Sequence, residues 1–244
     1  MASKLSKVEL TVDEAIALLS KTSLPTLIVE GRDDVIVYRN LEQQLADLGV
    51  SVFPVGGRLK VLEVFRRRAE IKSQVKLAFI ADQDTWVVTG VPSQFLDPMM
   101  IYTAGYSVEN DVYVDGELWK LLSGSEDQKF RSELLAFNQW YALALTRHLA
   151  DPGNPIALHP DHVLEPIQYA TLVALKAGET YPHSLLAQVQ SRYELLVRGK
   201  SLLGLLLRNI KSPKHSPDAL LQSVAIRPGA NLNAIATRAR QALS

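Results

Sequence analysis

Residues 26–38 read TLIVEGRDDVIVY, and the fold follows from how that stretch is read. Thr26 to Val29 is a run of β-forming apolar residues, continuous rather than alternating, as in strands buried on both faces. The run stops at Glu30, turns through Gly31 and meets two more acids, Asp33 and Asp34. Beyond them Tyr38, Leu41, Leu45 and Leu48 recur at helical spacing, and Gly49 is placed to stop the helix. Either the acids solvate a turn and cap that helix, or they hold a metal ion. Asp33 reads as the helix N-cap. For Asp34 both readings stay open, because an acid in a first turn also complements the helix dipole.

The same strand-then-helix unit recurs downstream. VSVFPV (50–55) is a second strand, with Pro54 marking its end or an edge. Gly56 and Gly57 follow, then a helix over LKVLEVFRRRAEI (59–71). VKLAFIAD (75–82) is a third strand that again ends on an acid, Asp82, with Asp84 two residues on. MMIYTA (99–104) supplies a fourth, and Thr11 with Glu14 makes a capping box for a helix ahead of the first strand. Strands alternating with helices at this spacing predict an α/β fold, a mainly parallel sheet flanked by helices, over residues 1–116. From residue 117 the segments GELWKLL, SELLAFNQWYALALTRHLA, IQYATLVALKA, LLAQVQSRYELLV, SLLGLLLRNI and LNAIATRARQAL all read as helices. Residues 117–244 are therefore expected to be an all-helical C-terminal domain. Residues 151–162 and 211–218 read as loops.

The composition is that of a globular protein: 244 residues, 47% hydrophobic and 21% charged. Lys plus Arg equals Asp plus Glu at 26 each, so any nucleic-acid surface must be a local patch. The absence of cysteine excludes disulfides, thiolate metal sites and a cysteine nucleophile. The N-terminal MASKLSKVEL lacks a signal-peptide core and no apolar run approaches membrane-spanning length, which makes a cytoplasmic protein with no membrane contact the expectation.

In open α/β sheets ligands sit outside the carboxyl ends of the strands. Glu30 and Asp82 end two strands, and Asp84 follows as the chain leaves the sheet. Three carboxylates at one edge repel one another unless a cation joins them. Mg²⁺ or Mn²⁺ is the matching cofactor, since hard ions take oxygen ligands and bridge to phosphate. Gly56, Gly57, Arg58 and Lys60, between a strand and a helix, read either as a tight turn or as a phosphate cradle. Arg66 to Arg68 spread around a helix as a solvated face. Gly199-Lys200-Ser201 is no ATP site: Glu194 stands where a P-loop needs glycine, and a helix precedes it. His159 and His162 lack a third ligand for a transition metal.

LIVEGRDDVIVY, VFPVGG and LAFIADQD, in that order, resemble the Toprim domain of topoisomerases, primases, overcoming-lysogenization-defect nucleases and the small ribonucleases that mature ribosomal RNA. YTAGYSVEND (102–111) resembles the YSIEN stretch of a bacterial Toprim-like family, some of whose members are nuclease effectors in anti-phage defence. VRGKSLLGLLL (197–207) resembles a Gly-Lys segment in the helical part of that family. The resemblance implies a Mg-dependent nuclease that acts on RNA, including tRNA, or DNA and works with an ATPase partner. It implies Glu30 as general acid or base beside the metal and Asp82 and Asp84 as metal ligands. Asp34 and Glu109 are further candidate ligands, and Lys200 is a catalytic candidate offering a cation to phosphate. The competing expectation is a non-catalytic Toprim-fold module that binds nucleic acid or a partner. Other enzymes with paired acids are less apt: haloacid-dehalogenase-like phosphatases put the pair on the first strand, and nucleotide-sugar transferases give Glu30 no role.

Overall fold

The structure, a computed structural model, describes residues 10–31, 35–71, 74–211 and 215–244. The chain forms two compact units that interleave along the sequence rather than meeting at residue 116. The first takes residues up to Asp82, Pro92–Thr103 and Leu232–Ser244; the second takes Gln83–Val91 and Ala104–Asn231.

The first unit holds the sheet. Its strands are β1 (Thr26–Val29), β2 (Ser51–Pro54), β3 (Leu77–Ala81) and β4 (Met100–Tyr102). All are parallel, in the order β2-β1-β3-β4, with Leu27 level with Val52 and Ala78, and Phe79 level with Met100. Every residue of β1 and β3 is buried, which is why both read as unbroken apolar runs. β2 is a half-buried edge, where Pro54 removes no ladder bond that the core needs. The α/β reading of the sequence is thereby borne out.

Helices α1 (Val12–Leu19), α2 (Val35–Gln44) and α3 (Arg58–Arg66) belong to this unit. α1 starts with the expected capping box: the Glu14 N–H donates to Thr11 Oγ1 (3.2 Å) and the Thr11 N–H to Glu14 Oε2 (2.8 Å). α3 buries Val61, Val64 and Phe65, and the Phe65 ring meets Phe79 of β3 edge-on at 5.3 Å. From Leu232 on, the last helix (Ala230–Leu243) also lies here. Arg240 grips the Asp47 carboxylate with two nitrogens (2.6 and 2.8 Å), and Arg238 donates to the carbonyl of Met100.

The second unit is helical, as expected of the C-terminal region. Its helices are α4 (Trp86–Thr89), α5 (Val108–Asp115), α6 (Gly124–Ala150), α7 (Pro160–Val163), α8 (Pro166–Leu172), α9 (His183–Ser191), α10 (Tyr193–Leu196), α11 (Gly199–Asn209) and α12 (Pro217–Ile226). α6 is the spine. It opens at a Ser123–Glu126 capping box and buries Phe130, Phe137, Trp140 and Tyr141, with the Phe137 and Trp140 rings 4.9 Å apart. α11 packs against it and buries Leu202, Leu205 and Leu206. Among the described residues, no helix is long and apolar enough to cross a membrane.

Candidate functional site

The strand order reverses direction between β1 and β3: β2 lies outward of β1, and β4 outward of β3. Such a switch point opens a crevice outside the carboxyl ends of the two strands. Glu30 follows β1 and Asp82 follows β3, so both expected acids stand at this crevice. The side chain of Glu30 ties the two strand ends together, its Oε1 accepting the Asp82 N–H at 2.7 Å. The Glu30 main-chain carbonyl accepts the N–H groups of Gly56 (2.7 Å) and Gly57 (2.6 Å). Those glycines have φ of 94° and 125°, a region closed to most side chains. At Gly57 nothing stands within 4 Å of an added Cβ, so backbone angle rather than space demands glycine there. Arg58 Nε then donates to the carbonyl of Asp82 at 2.8 Å.

Five sequence-predicted residues thus meet at one end of the sheet: Glu30, Gly56, Gly57, Arg58 and Asp82. Lys60 is engaged elsewhere, its Nζ donating to the carbonyl of Leu10 at 2.8 Å. Asp33 and Asp34 lie outside the described residues. Among the described residues, no group of three or more His, Asp or Glu side chains is gathered as a metal cage. Mg²⁺ keeps several waters and binds through one or two carboxylates plus substrate phosphate, so acids at these two strand ends are of the chemical type it takes.

The remaining candidates belong to the second unit. Asp84 has a left-handed backbone (φ 48°), and its N–H donates to the Tyr106 carbonyl at 2.7 Å. For a residue with a Cβ that conformation is strained, and such strain concentrates at functional sites. Glu109 is buried in the first turn of α5 and accepts the Ser107 hydroxyl at 2.5 Å. Lys200 is exposed in the first turn of α11.

The residues beside Glu109 matter more to the structure than the sequence reading allowed. Asn110 is fully buried and donates to the carbonyls of Glu194 and Val197, both at 2.8 Å, while its Oδ1 accepts the Ser107 N–H at 3.0 Å. Gly199 packs on the same cluster: an added Cβ would stand 2.3 Å from Ser107 Oγ and 2.7 Å from Asn110 Oδ1. Two of the matched stretches, YSVEND and VRGK, therefore form one packed joint. The signal for Asn110 was its place three residues after Ser107, the N-cap of α5.

No family model matches this chain, and no curated relative does.

Asp111 adds a pH response. Its buried carboxylate accepts the N–H groups of Ala104 (3.0 Å) and Gly105 (2.9 Å), yet burial pushes its carboxyl up to about 7. The folded protein therefore holds a proton that the unfolded chain releases near pH ~4. That contribution to stability is complete at low pH and is lost as pH rises toward 7. Glu179 works with the opposite sign, its carboxyl held down at about 2 by Arg147. Relative to Asp111→Asn, the wild type is expected to lose about 2 kcal/mol between about pH 5.5 and 7.5. Urea unfolding of both proteins across that range measures it; parallel pH profiles would refute the assignment.

Proposed function

We propose that this protein is a metal-dependent nuclease that hydrolyses phosphodiester bonds. The observation that carries this reading is the placement of Glu30 and Asp82 at the two strand ends flanking the switch point of a parallel sheet. The motif resemblance to Toprim nucleases supports it independently, and with it a role in anti-phage defence beside an ATPase partner. In this reading Glu30 and Asp82 hold Mg²⁺ or Mn²⁺, with Asp84 as the further acid of the motif. When bound, the ion supplies Lewis acidity toward a phosphoryl oxygen and lowers the pKa of water.

The chain's own residues do the rest. Glu30 serves as the group that moves a proton at the attacking or leaving oxygen. The Glu30–Asp82 hydrogen bond fixes that carboxylate relative to β3, so it needs no reorganisation on binding substrate. The N–H groups of Gly56 and Gly57 are taken by the Glu30 carbonyl, so these glycines shape the turn before α3 rather than cradle a phosphate, and Arg58 is the cation beside them. The second reading is a non-catalytic module of the same fold that binds nucleic acid or a partner without cleaving it.

Cleavage of labelled DNA and RNA under a Mg²⁺ or Mn²⁺ titration separates the two. Asp82→Asn is expected to raise the metal concentration for half-maximal rate about 10-fold, the size of effect seen for a weakened metal site. Wild-type protein that leaves every substrate intact at any metal concentration would leave only the binding module.

A further inference from the structure

Helix α8 of the second unit is seven residues long, and none of its residues is buried. A helix so short gains little from its own hydrogen bonds in water, so it needs packing to persist. Its inner side is tied to α6: Tyr169 Oη donates to Gln139 Oε1 at 2.7 Å, and Arg147 donates to the carbonyls of Leu172 (3.2 Å) and Ala174 (2.7 Å). Its outer side faces solvent. Ile167 is 76% exposed, Leu175 just past the helix is 48% exposed, and Ala170, Thr171 and Ala174 between them are exposed too. Spacings of three, four and seven from Ile167 put these residues on one stripe. From Pro166 to Leu175 no residue is charged, whereas Glu165 stands before that stretch and Lys176 after it.

Beyond the C-terminal end of α8 lies a cavity of about 300 Å³, whose lining includes Leu143, Arg147, Ala150, Asp151, Lys176 and Glu179. That lining is mainly apolar. Its acids and its arginine already have partners: Arg147 holds both oxygens of Glu179 (2.9 and 2.6 Å), and Asp151 Oδ1 accepts the Gly153 N–H at 2.9 Å. The cavity therefore suits an apolar side chain better than a polar ligand, which would find those groups engaged.

We infer that this face pairs with a second copy of the chain, the two α8 helices lying antiparallel about a two-fold axis. The stretch is self-complementary in that arrangement. With the axis between Ala170 and Thr171, small side chains meet at the centre and let the helices approach closely. Ile167 of each copy meets Ala174 of the other, next to the apolar cavity, and Leu175 meets Pro166. Glu165 of each copy faces Lys176 of the other, so opposite charges close both ends. In a parallel pair Glu165 would face Glu165. A two-fold contact requires such a match, because the same patch serves both sides. The chain's net charge of zero adds no repulsion between copies. One helix pair covers less than the roughly 1,200–2,000 Å² of stable complexes, so the contact is weak and concentration-dependent. The inference is independent of the nuclease reading.

Sedimentation velocity of the full chain, from about 1 to about 300 µM, tests it. Wild type is expected to shift from the monomer to twice its mass and no further. Ile167→Asp is expected to weaken the dimer at least about 30-fold, as for the loss of an interface hot spot, with an unchanged melting temperature because the position is exposed. Glu165→Lys and Lys176→Glu should each weaken it about 10-fold, since each charge pair occurs twice in the dimer. An equimolar mixture of those two variants restores opposite charges at both ends and should dimerise like wild type. The mixture is the deciding arm, since its rescue cannot arise from a change in folding.

A wild type that stays monomeric over this range overturns the inference and leaves the face to a different protein or to none. So does a dimer that none of the three substitutions weakens, or one that the mixture fails to restore. Growth past the dimer would overturn the two-fold arrangement. Cleavage of nucleic acid, present or absent, bears on the nuclease reading alone.

Discussion

Glu30→Gln is expected to lower metal-dependent cleavage at least about 100-fold while leaving the melting temperature unchanged, because general acid–base groups contribute about 10²–10⁴-fold in rate. The substitution is close to a pure test. Glutamine keeps an oxygen to accept the Asp82 N–H, now bonded to Glu30 Oε1 at 2.7 Å, so the two strand ends stay joined. The main-chain carbonyl that receives Gly56 and Gly57 is untouched. The substitution removes the negative charge and the transferable proton while keeping that acceptor. Glu30→Ala serves as the contrast, since it also leaves the half-buried Asp82 N–H without that acceptor, at a cost of about 1–3 kcal/mol. Cleavage that persists undiminished in Glu30→Gln would assign the activity to a contaminant or to another centre. A large drop in stability would show that the carboxylate is structural.

Asn110→Ala is expected to destabilise the second unit by about 4 kcal/mol. The side chain is fully buried and satisfies three main-chain groups at once: the carbonyls of Glu194 and Val197 and the N–H of Ser107. Truncation leaves all three without this partner, at about 1–3 kcal/mol for each group that stays unsatisfied. Asn110→Asp is nearly isosteric but cannot donate, so it faces two carbonyls with a carboxylate and should be no better. Ser107→Ala removes the hydroxyl donated to the buried Glu109 carboxylate, one group rather than three, and should cost less than Asn110→Ala, about 2 kcal/mol. Urea unfolding followed by circular dichroism ranks the three variants. An Asn110→Ala protein as stable as Ser107→Ala would mean that water or a local shift replaces the lost bonds.

The parallel sheet was legible because β1 and β3 are buried on both faces, and no polar residue interrupts their apolar runs. The same property placed Glu30 and Asp82, since an acid directly after a buried strand falls at the crevice edge. α5 was not legible as a helix. Its sequence, VENDVYVD, buries Glu109, Asn110 and Asp111, so polar residues occupy the inward face and the 3.6-residue pattern disappears. α12 did carry a local signal that was read as loop: Ser216 caps it by accepting the Ala219 N–H, and Pro217 holds the first helical position. α6 begins earlier than its apolar pattern, because the capping box at Ser123 starts a solvated first turn. The engagement of Lys60 with Leu10 joins residues 50 apart, and no local pattern announces it.

The interleaving of the two units bears on how the protein folds. The sheet unit includes Leu232–Ser244, separated from Thr103 by the 128 residues of the helical unit between Ala104 and Asn231. Without Leu232–Ser244, Asp47 lacks its Arg240 clamp and the Met100 carbonyl lacks Arg238. The clamp joins residues 193 apart in sequence, so it costs a long loop closure that the local strand–helix units do not. Completion of the sheet unit is therefore expected to be paced by its most distant contacts rather than by its local ones.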